Sequence, residues 1–174
     1  MGKEKDSYMH VFTQPSKDWI AHTFSAPTAV QQEAWPAIAE GGSVLISAPT
    51  GTGKTISAFL VFVDKLQALA NQGKLKEQLY LIYVSPLKSL AQDIRENLNK
   101  PLSGIAQEPN GQGAAEITVG IRTGDTPQRD RQRMIKHPPH ILIITPESLY
   151  LMLTSTGGQT ILHTAEALII DELH

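Results

Sequence analysis

Five short apolar runs punctuate the chain, at residues 44–46, 79–84, 117–121, 141–144 and 167–170. Val44-Leu45-Ile46 and Leu79-Tyr80-Leu81-Ile82-Tyr83-Val84 are continuous rather than alternating, the pattern of parallel strands buried in a sheet. Helical patterns separate the runs. One covers residues 56–66; others begin within 85–90, near Pro127 and after Thr145-Pro146. Ahead of the first run, Thr28 can cap a helix whose apolar face is Ala34, Trp35 and Ile38. Strands alternating with helices predict an α/β fold with a doubly wound parallel sheet. Ligands of such sheets bind outside the carboxyl ends of the strands, where each strand hands over to its helix.

The remaining stretches set boundaries. Residues 1–26 form a lead-in that starts polar. In it Phe12, Trp19 and Phe24 are spaced for one side of a short helix, suited to core packing or to covering an adenine ring. Residues 27–174 carry the α/β domain. Residues 102–116, with Gly104, Pro109, Gly111 and Gly113, make the longest irregular stretch, a functional or mobile loop inside a domain.

Composition narrows the chemistry. Fifteen Lys and Arg stand against 17 Asp and Glu, a formal charge of −2. Bulk basicity therefore draws no nucleic acid, and any such contact must come from placed groups. Arg129, Arg131, Arg133 and Lys136 read first as a solvated helix face, with phosphate contact the alternative. Cysteine is absent, which excludes disulfides and cysteine-held metals in these residues. The six histidines lack a ligand-like spacing. No apolar run reaches bilayer length and the start lacks a signal-peptide core, so a soluble cytoplasmic protein with no membrane partner is the plain reading.

The hand-over at Ser47-Ala48-Pro49-Thr50-Gly51-Thr52-Gly53-Lys54-Thr55 carries the strongest signal. A strand, a glycine-bearing turn and a helix opening with Gly-Lys-Thr form the context of a phosphate-binding loop. Gly51 and Gly53 let backbone N–H groups converge on one anion, and the helix N-terminus adds donors. Lys54 suits the β- and γ-phosphates of a nucleotide and the Thr55 hydroxyl suits Mg²⁺. Ala48 stands where the usual pattern has its first glycine. Gln31, one helix and one strand upstream, offers a donor and an acceptor to the edge of adenine. The last run ends in Asp171-Glu172. There Asp171 suits Mg²⁺, through water, and Glu172 suits positioning and deprotonating an attacking water.

Pro27-Thr28 with Gln31, Ala-Pro-Thr-Gly-Thr-Gly-Lys-Thr, Ser-Pro-Leu-Lys-Ser-Leu, Arg-Thr-Gly-Asp-Thr, Thr-Pro-Glu-Ser-Leu and Asp-Glu-Leu-His follow one another in that order. In this the chain resembles the first motor domain of a superfamily 2 DExH-box helicase, and within it the large helicase-related (Lhr) family. The resemblance implies a RecA-like P-loop NTPase fold, incomplete at the C-terminus, and ATP hydrolysis coupled to movement on single-stranded DNA or RNA. It makes Ala48, Pro49, Thr50, Gly51, Thr52, Gly53, Lys54, Thr55 and Gln31 the ATP-binding residues. Lys54, Asp171 and Glu172 become the catalytic set, with Thr55 and Asp171 on Mg²⁺. Ser85, Pro86 and Lys88, then Thr123 and Gly124, then Thr145, Pro146 and Glu147 match the segments that hold the strand's backbone. His174 matches the residue that couples the nucleotide site to the strand.

Such a motor continues past this point into a second RecA-like domain that supplies an arginine finger. On its own, this polypeptide is therefore expected to hydrolyse ATP negligibly and to present an unpaired sheet edge. Two other readings stand beside the helicase: a fragment that binds nucleotide or strand without catalysis, and a superfamily 2 motor that tracks along duplex without separating it.

Overall fold

The computed structural model describes residues 7–49, 52–86, 88–111 and 116–172. They fall into two compact units, residues 1–74 with 98–115 and residues 75–97 with 116–174.

The first unit is helical. It holds α1 (Gln14–Thr23), α2 (Ala29–Glu40), α3 (Lys54–Asn71) and the C-terminal half of α4 (Lys88–Gln107). Trp35 is fully enclosed, with Phe12 edge-on to its ring at 5.0 Å. Phe59, Leu60, Val63 and Leu66 of α3 and Leu98, Leu102 and Ile105 of α4 are also buried. Two of the lead-in aromatics therefore serve the core, for Phe12 and Trp19 are buried while Phe24 is half-buried against Trp19. The lead-in is pinned by a buried carboxylate. Asp64 of α3 accepts from the Thr13 N–H at 3.1 Å and from the Thr13 hydroxyl. Gln67 Nε2, one turn on, donates to the Leu102 carbonyl at 2.9 Å.

The irregular stretch expected from residue 102 is helical through Gln107. Gly104 acts there as a point of close approach rather than a breaker. A Cβ at that position would lie 2.1 Å from Nε1 of Trp19, so only glycine lets the indole pack against α4.

The second unit holds the sheet. Strands β1 (Leu81–Val84), β2 (Val119–Arg122), β3 (Ile141–Ile144) and β4 (Ala167–Ile170) are parallel in the order β2-β3-β1-β4. Helices α5 (Gln128–Lys136), α6 (Pro146–Leu153) and α7 (Thr156–Leu162) connect them, with the first half of α4. The central strands β1 and β3 are buried along their whole length, as their unbroken apolar runs require. Leu79, Ile82, Val84, Leu142, Ile144, Met152 and Ile161 form one core cluster. Strand β4 lies at an edge, and Leu168 and Ile170 are about half exposed.

One predicted strand is absent. Residues 44–46 form no strand and pair with nothing among the described residues, and Leu45 is 80% exposed. A parallel strand exists only through the ladder its neighbours supply, and apolar side chains cannot replace those hydrogen bonds. The sheet therefore has four strands where the sequence suggested five. Among the described residues no helix is long and apolar enough to cross a membrane.

Candidate functional site

The predicted residues assemble into two groups, one in each unit. In the first, α2 opens on a reciprocal cap. The Gln31 N–H donates to Thr28 Oγ1 at 3.3 Å while the Thr28 N–H donates to Gln31 Oε1 at 2.9 Å. The Thr28 hydroxyl then donates to the Thr52 carbonyl at 3.0 Å, tying that cap to the loop ahead of α3. Gln31 is buried. Its amide lies against Gly53, where a Cβ would sit 2.9 Å from Nε2. Gly53 itself has φ +85°, the left-handed conformation that glycine tolerates without strain, and it starts α3.

Two polar side chains here are satisfied by backbone carbonyls. Thr52 Oγ1 donates to the Pro49 carbonyl at 2.7 Å, and the Lys54 ammonium donates to the Ala48 carbonyl. Lys54 and Thr55 occupy the first turn of α3, where free backbone N–H groups and the positive end of the helix dipole favour an anion. Thr50 and Gly51 lie outside the described residues, as do His174 and the side chain of Lys88.

The second group forms a row. Register places Arg122, Ile144, Val84 and Ile170 level with one another across the sheet. The ladder extends one residue further. Thr145 N–H donates to the Arg122 carbonyl at 3.3 Å, Ser85 N–H to Ile144 at 3.0 Å and Asp171 N–H to Val84 at 3.0 Å. The hand-over residues Thr123, Thr145, Ser85 and Asp171 thus stand side by side on the carboxyl edge, spanning about 14 Å at normal strand spacing. Thr123, Thr145 and Ser85 are buried, whereas Pro86, Gly124, Pro146 and Glu147 beside them are exposed.

Thr145 holds the N-cap position of α6, yet its hydroxyl donates to Ser148 Oγ at 3.1 Å rather than accepting from a backbone N–H. Ser85 Oγ is buried without a partner among the described residues. Arg131 of α5 fastens the turn after β2. Its Nε donates to the Thr126 carbonyl and its Nη2 to the Gly124 carbonyl, both at 2.7 Å.

Asp171 is held on both sides. Tyr83 of β1 donates its hydroxyl to Oδ2, and the Glu172 N–H donates to Oδ1 at 3.0 Å. Glu172 is exposed with φ +50°, a conformation costing a side-chain-bearing residue about 1 kcal/mol.

A phosphate-type loop and a row of hand-over residues ending in Asp-Glu narrow the choice, and comparison with known proteins decides it. The model of the DEAD/DEAH box helicase family matches residues 28–174. The chain belongs to that family. It is 47% identical over 165 residues to a Lhr helicase/probable uracil glycosylase of Mycolicibacterium smegmatis, covering 94% of this chain and 11% of the relative. It is 45% identical over 158 residues to the ATP-dependent helicase Lhr-Core of Methanothermobacter thermautotrophicus, covering 90% of this chain and 18% of the relative. A solved structure of the Mycobacterium smegmatis helicase Lhr bound to ssDNA and AMP-PNP superposes with a TM-score of 0.85 at 45% identity. That match covers 95% of this chain and 21% of the other. The chain thus spans between a tenth and a quarter of the length of these relatives. Its sheet and helices are those of a RecA-like helicase domain, as expected, and its relatives carry the expected Lhr name.

Sequence reasoning missed two residues of this helicase domain. Tyr83 lies in an apolar run and reads as core, yet its hydroxyl anchors Asp171. The signal was a tyrosine one residue before the end of a strand that pairs with the Asp-Glu strand. Arg122 falls just past the predicted run 117–121, but it is the last residue of β2 and is buried.

Proposed function

We propose that this DEAD/DEAH box helicase domain is the nucleotide-binding part of an ATP-driven motor that moves along a single strand of DNA or RNA. The observation that carries the reading is the single row of Thr123, Thr145, Ser85 and Asp171 on one sheet edge. That row sets the residues suited to a strand and the residue suited to a metal at the ends of adjacent strands. The ssDNA and AMP-PNP bound by the Mycobacterium smegmatis helicase Lhr support both ligand classes.

In this reading residues 27–174 form the partial ATP-binding domain and 1–26 its lead-in. Lys54 leaves the Ala48 carbonyl to hold the β- and γ-phosphates, within the loop formed by Ala48 to Thr55. Gln31 reads adenine, and to do so its Oε1 exchanges the Thr28 N–H for the base. Among the described residues no three metal-binding side chains cluster. The residues suited to Mg²⁺ are Asp171 and Thr55, with phosphate and water supplying the remaining ligands. Each Asp171 oxygen accepts one known hydrogen bond and keeps a second lone pair for that use. When bound, the ion neutralises charge on the phosphate oxygens. Glu172 takes the proton of the attacking water.

Exposed Pro86, Gly124, Pro146 and Glu147, with Lys88, track the strand's sugar-phosphate backbone, which holds register without reading bases. His174 couples the two ligands, and a second RecA-like domain supplies the arginine finger. The test is strand-stimulated ATP hydrolysis and strand displacement by the intact protein on DNA–DNA and RNA–DNA duplexes. Both activities should vanish in Lys54→Ala and in Glu172→Gln. Hydrolysis that ignores the strand, or that survives Glu172→Gln, would overturn the reading.

A further inference from the structure

Tyr83 is a phenol set in an otherwise aliphatic strand, Leu81-Ile82-Tyr83-Val84, and it is only 1% exposed. A tyrosine this enclosed needs a partner for its hydroxyl. The sheet register supplies one at the end of the neighbouring strand. Tyr83 stands opposite Ile169 of β4. Side chains alternate along a strand, so Asp171, two residues beyond Ile169, shares a face with Tyr83. The two backbones are then about 8 Å apart on the diagonal at normal sheet spacing. A phenol is long enough to cross that gap, and its hydroxyl donates to Asp171 Oδ2.

The rest of Asp171 is restrained as well. Its N–H donates to the Val84 carbonyl at 3.0 Å, and its Oδ1 accepts from the Glu172 N–H at 3.0 Å. Residues 83 and 84 of β1 thus hold both the carboxylate and the backbone of Asp171. This support comes from one side, because β4 lies at an edge of the sheet. An aspartate at such a strand end would otherwise turn readily about its last torsion, whose energy wells are broad. One donor on each oxygen fixes the plane of the carboxylate and leaves each oxygen a lone pair. Groups that hydrogen-bond to a metal-binding carboxylate orient it in this way.

We propose that Tyr83 is a positioning residue for the metal-nucleotide site, its hydroxyl holding the Asp171 carboxylate in one orientation before Mg²⁺ and nucleotide arrive. The inference rests on the reading of Asp171 as the Mg²⁺ residue and adds the group that presets it. Tyr83 acts through Asp171 alone. Its removal should therefore weaken the part of nucleotide binding that depends on Mg²⁺ and spare the part that does not.

The test uses the intact protein and a fluorescent, non-hydrolysable ATP analogue, titrated in EDTA and across a Mg²⁺ series. Tyr83→Phe deletes the hydroxyl and keeps the ring. In EDTA this variant should bind the analogue as the parent does. The Mg²⁺ concentration that gives half of the tightening should rise about tenfold, the lower end of the cost of losing a partner of a metal ligand. In an Asp171→Asn background the same substitution should change the Mg²⁺ response no further. Tyr83→Met, apolar and adaptable in shape, carries the comparison should the Phe variant not fold.

A lower melting temperature with an unchanged Mg²⁺ response would reduce the bond to a clasp between strands and overturn the proposal. So would an equal loss of analogue affinity with and without Mg²⁺, which marks general distortion rather than a misplaced carboxylate. The underlying reading fails separately. If the parent binds the analogue alike in EDTA and Mg²⁺, or if Asp171→Asn alone keeps the full Mg²⁺ response, Asp171 does not serve the ion and this inference falls with that assignment.

Discussion

Around the loop ahead of α3 four polar side chains have partners: Lys54 with Ala48, Thr52 with Pro49, Thr28 with Thr52, and Gln31 with Thr28. At the carboxyl edge of the sheet, Ser85 Oγ and Arg122 Nη1 are buried with no partner among the described residues. On the proposed function, a phosphate entering the loop gains only the difference between the new hydrogen bonds and the ones it displaces. Ser85 Oγ and Arg122 Nη1 have no such bonds to give up, so a ligand reaching them would relieve a desolvation cost already present in the folded chain. In that reading the loop must exchange contacts to bind, whereas the edge is stabilised by what it binds.

This contrast can be broken at measurable places. The largest effect is expected from Gly53→Ala. Its Cβ would meet Gln31 Nε2 at 2.9 Å and its φ of +85° disfavours any side chain. Left-handed strain together with a disturbed cap should cost about 2 kcal/mol in a denaturant titration. Thr28→Ala comes next, since it removes one member of the capping box and the bond to Thr52, and should cost about 1 kcal/mol. Ser85→Ala is the matched opposite. It deletes a buried hydroxyl that has no partner, so stability should hold or rise slightly. A clear loss at Ser85 would show that the edge is satisfied after all and would remove the contrast.

The smallest effect concerns pH. His140 is held below its ordinary value of 6.5, first by burial, and its Nδ1 accepts from the Thr118 N–H at 2.9 Å. The folded chain therefore prefers the neutral ring. Its contribution is complete above the unfolded value and is lost as pH falls through the folded one. Melting temperature should decline between pH 7 and 5, and His140→Asn should flatten part of that decline. His22 shifts the opposite way, raised by its hydrogen bond to Glu108, but it is exposed and is expected to alter the profile little.

Much of this was legible in the residues because periodicity and turn chemistry are local. The runs at 79–84, 141–144 and 167–170 became strands, and Thr28 became a cap, through signals contained in a few residues each. What escaped depends on distant partners. Residues 44–46 look like the other runs, but a strand needs a neighbour that sequence alone cannot supply. Gly104 reads as a helix breaker until Trp19, far upstream, is placed against it. Of the site, the order of motifs revealed which residues gather on the sheet edge. It did not reveal that Tyr83 anchors Asp171 or that Arg122 is enclosed, since both depend on pairing between strands far apart in the chain.

The level ends of β1, β2, β3 and β4 also determine where this chain can change length. Deleting one residue inside β3 would draw Thr145 back by about 3.3 Å and turn every following side chain of that strand to the opposite face. The same deletion in the connection after α5 would be absorbed before the sheet is reached. Length variation in natural or engineered versions should therefore collect in the connections and spare the strands, where even a single inserted codon would put one hand-over residue out of step with the other three.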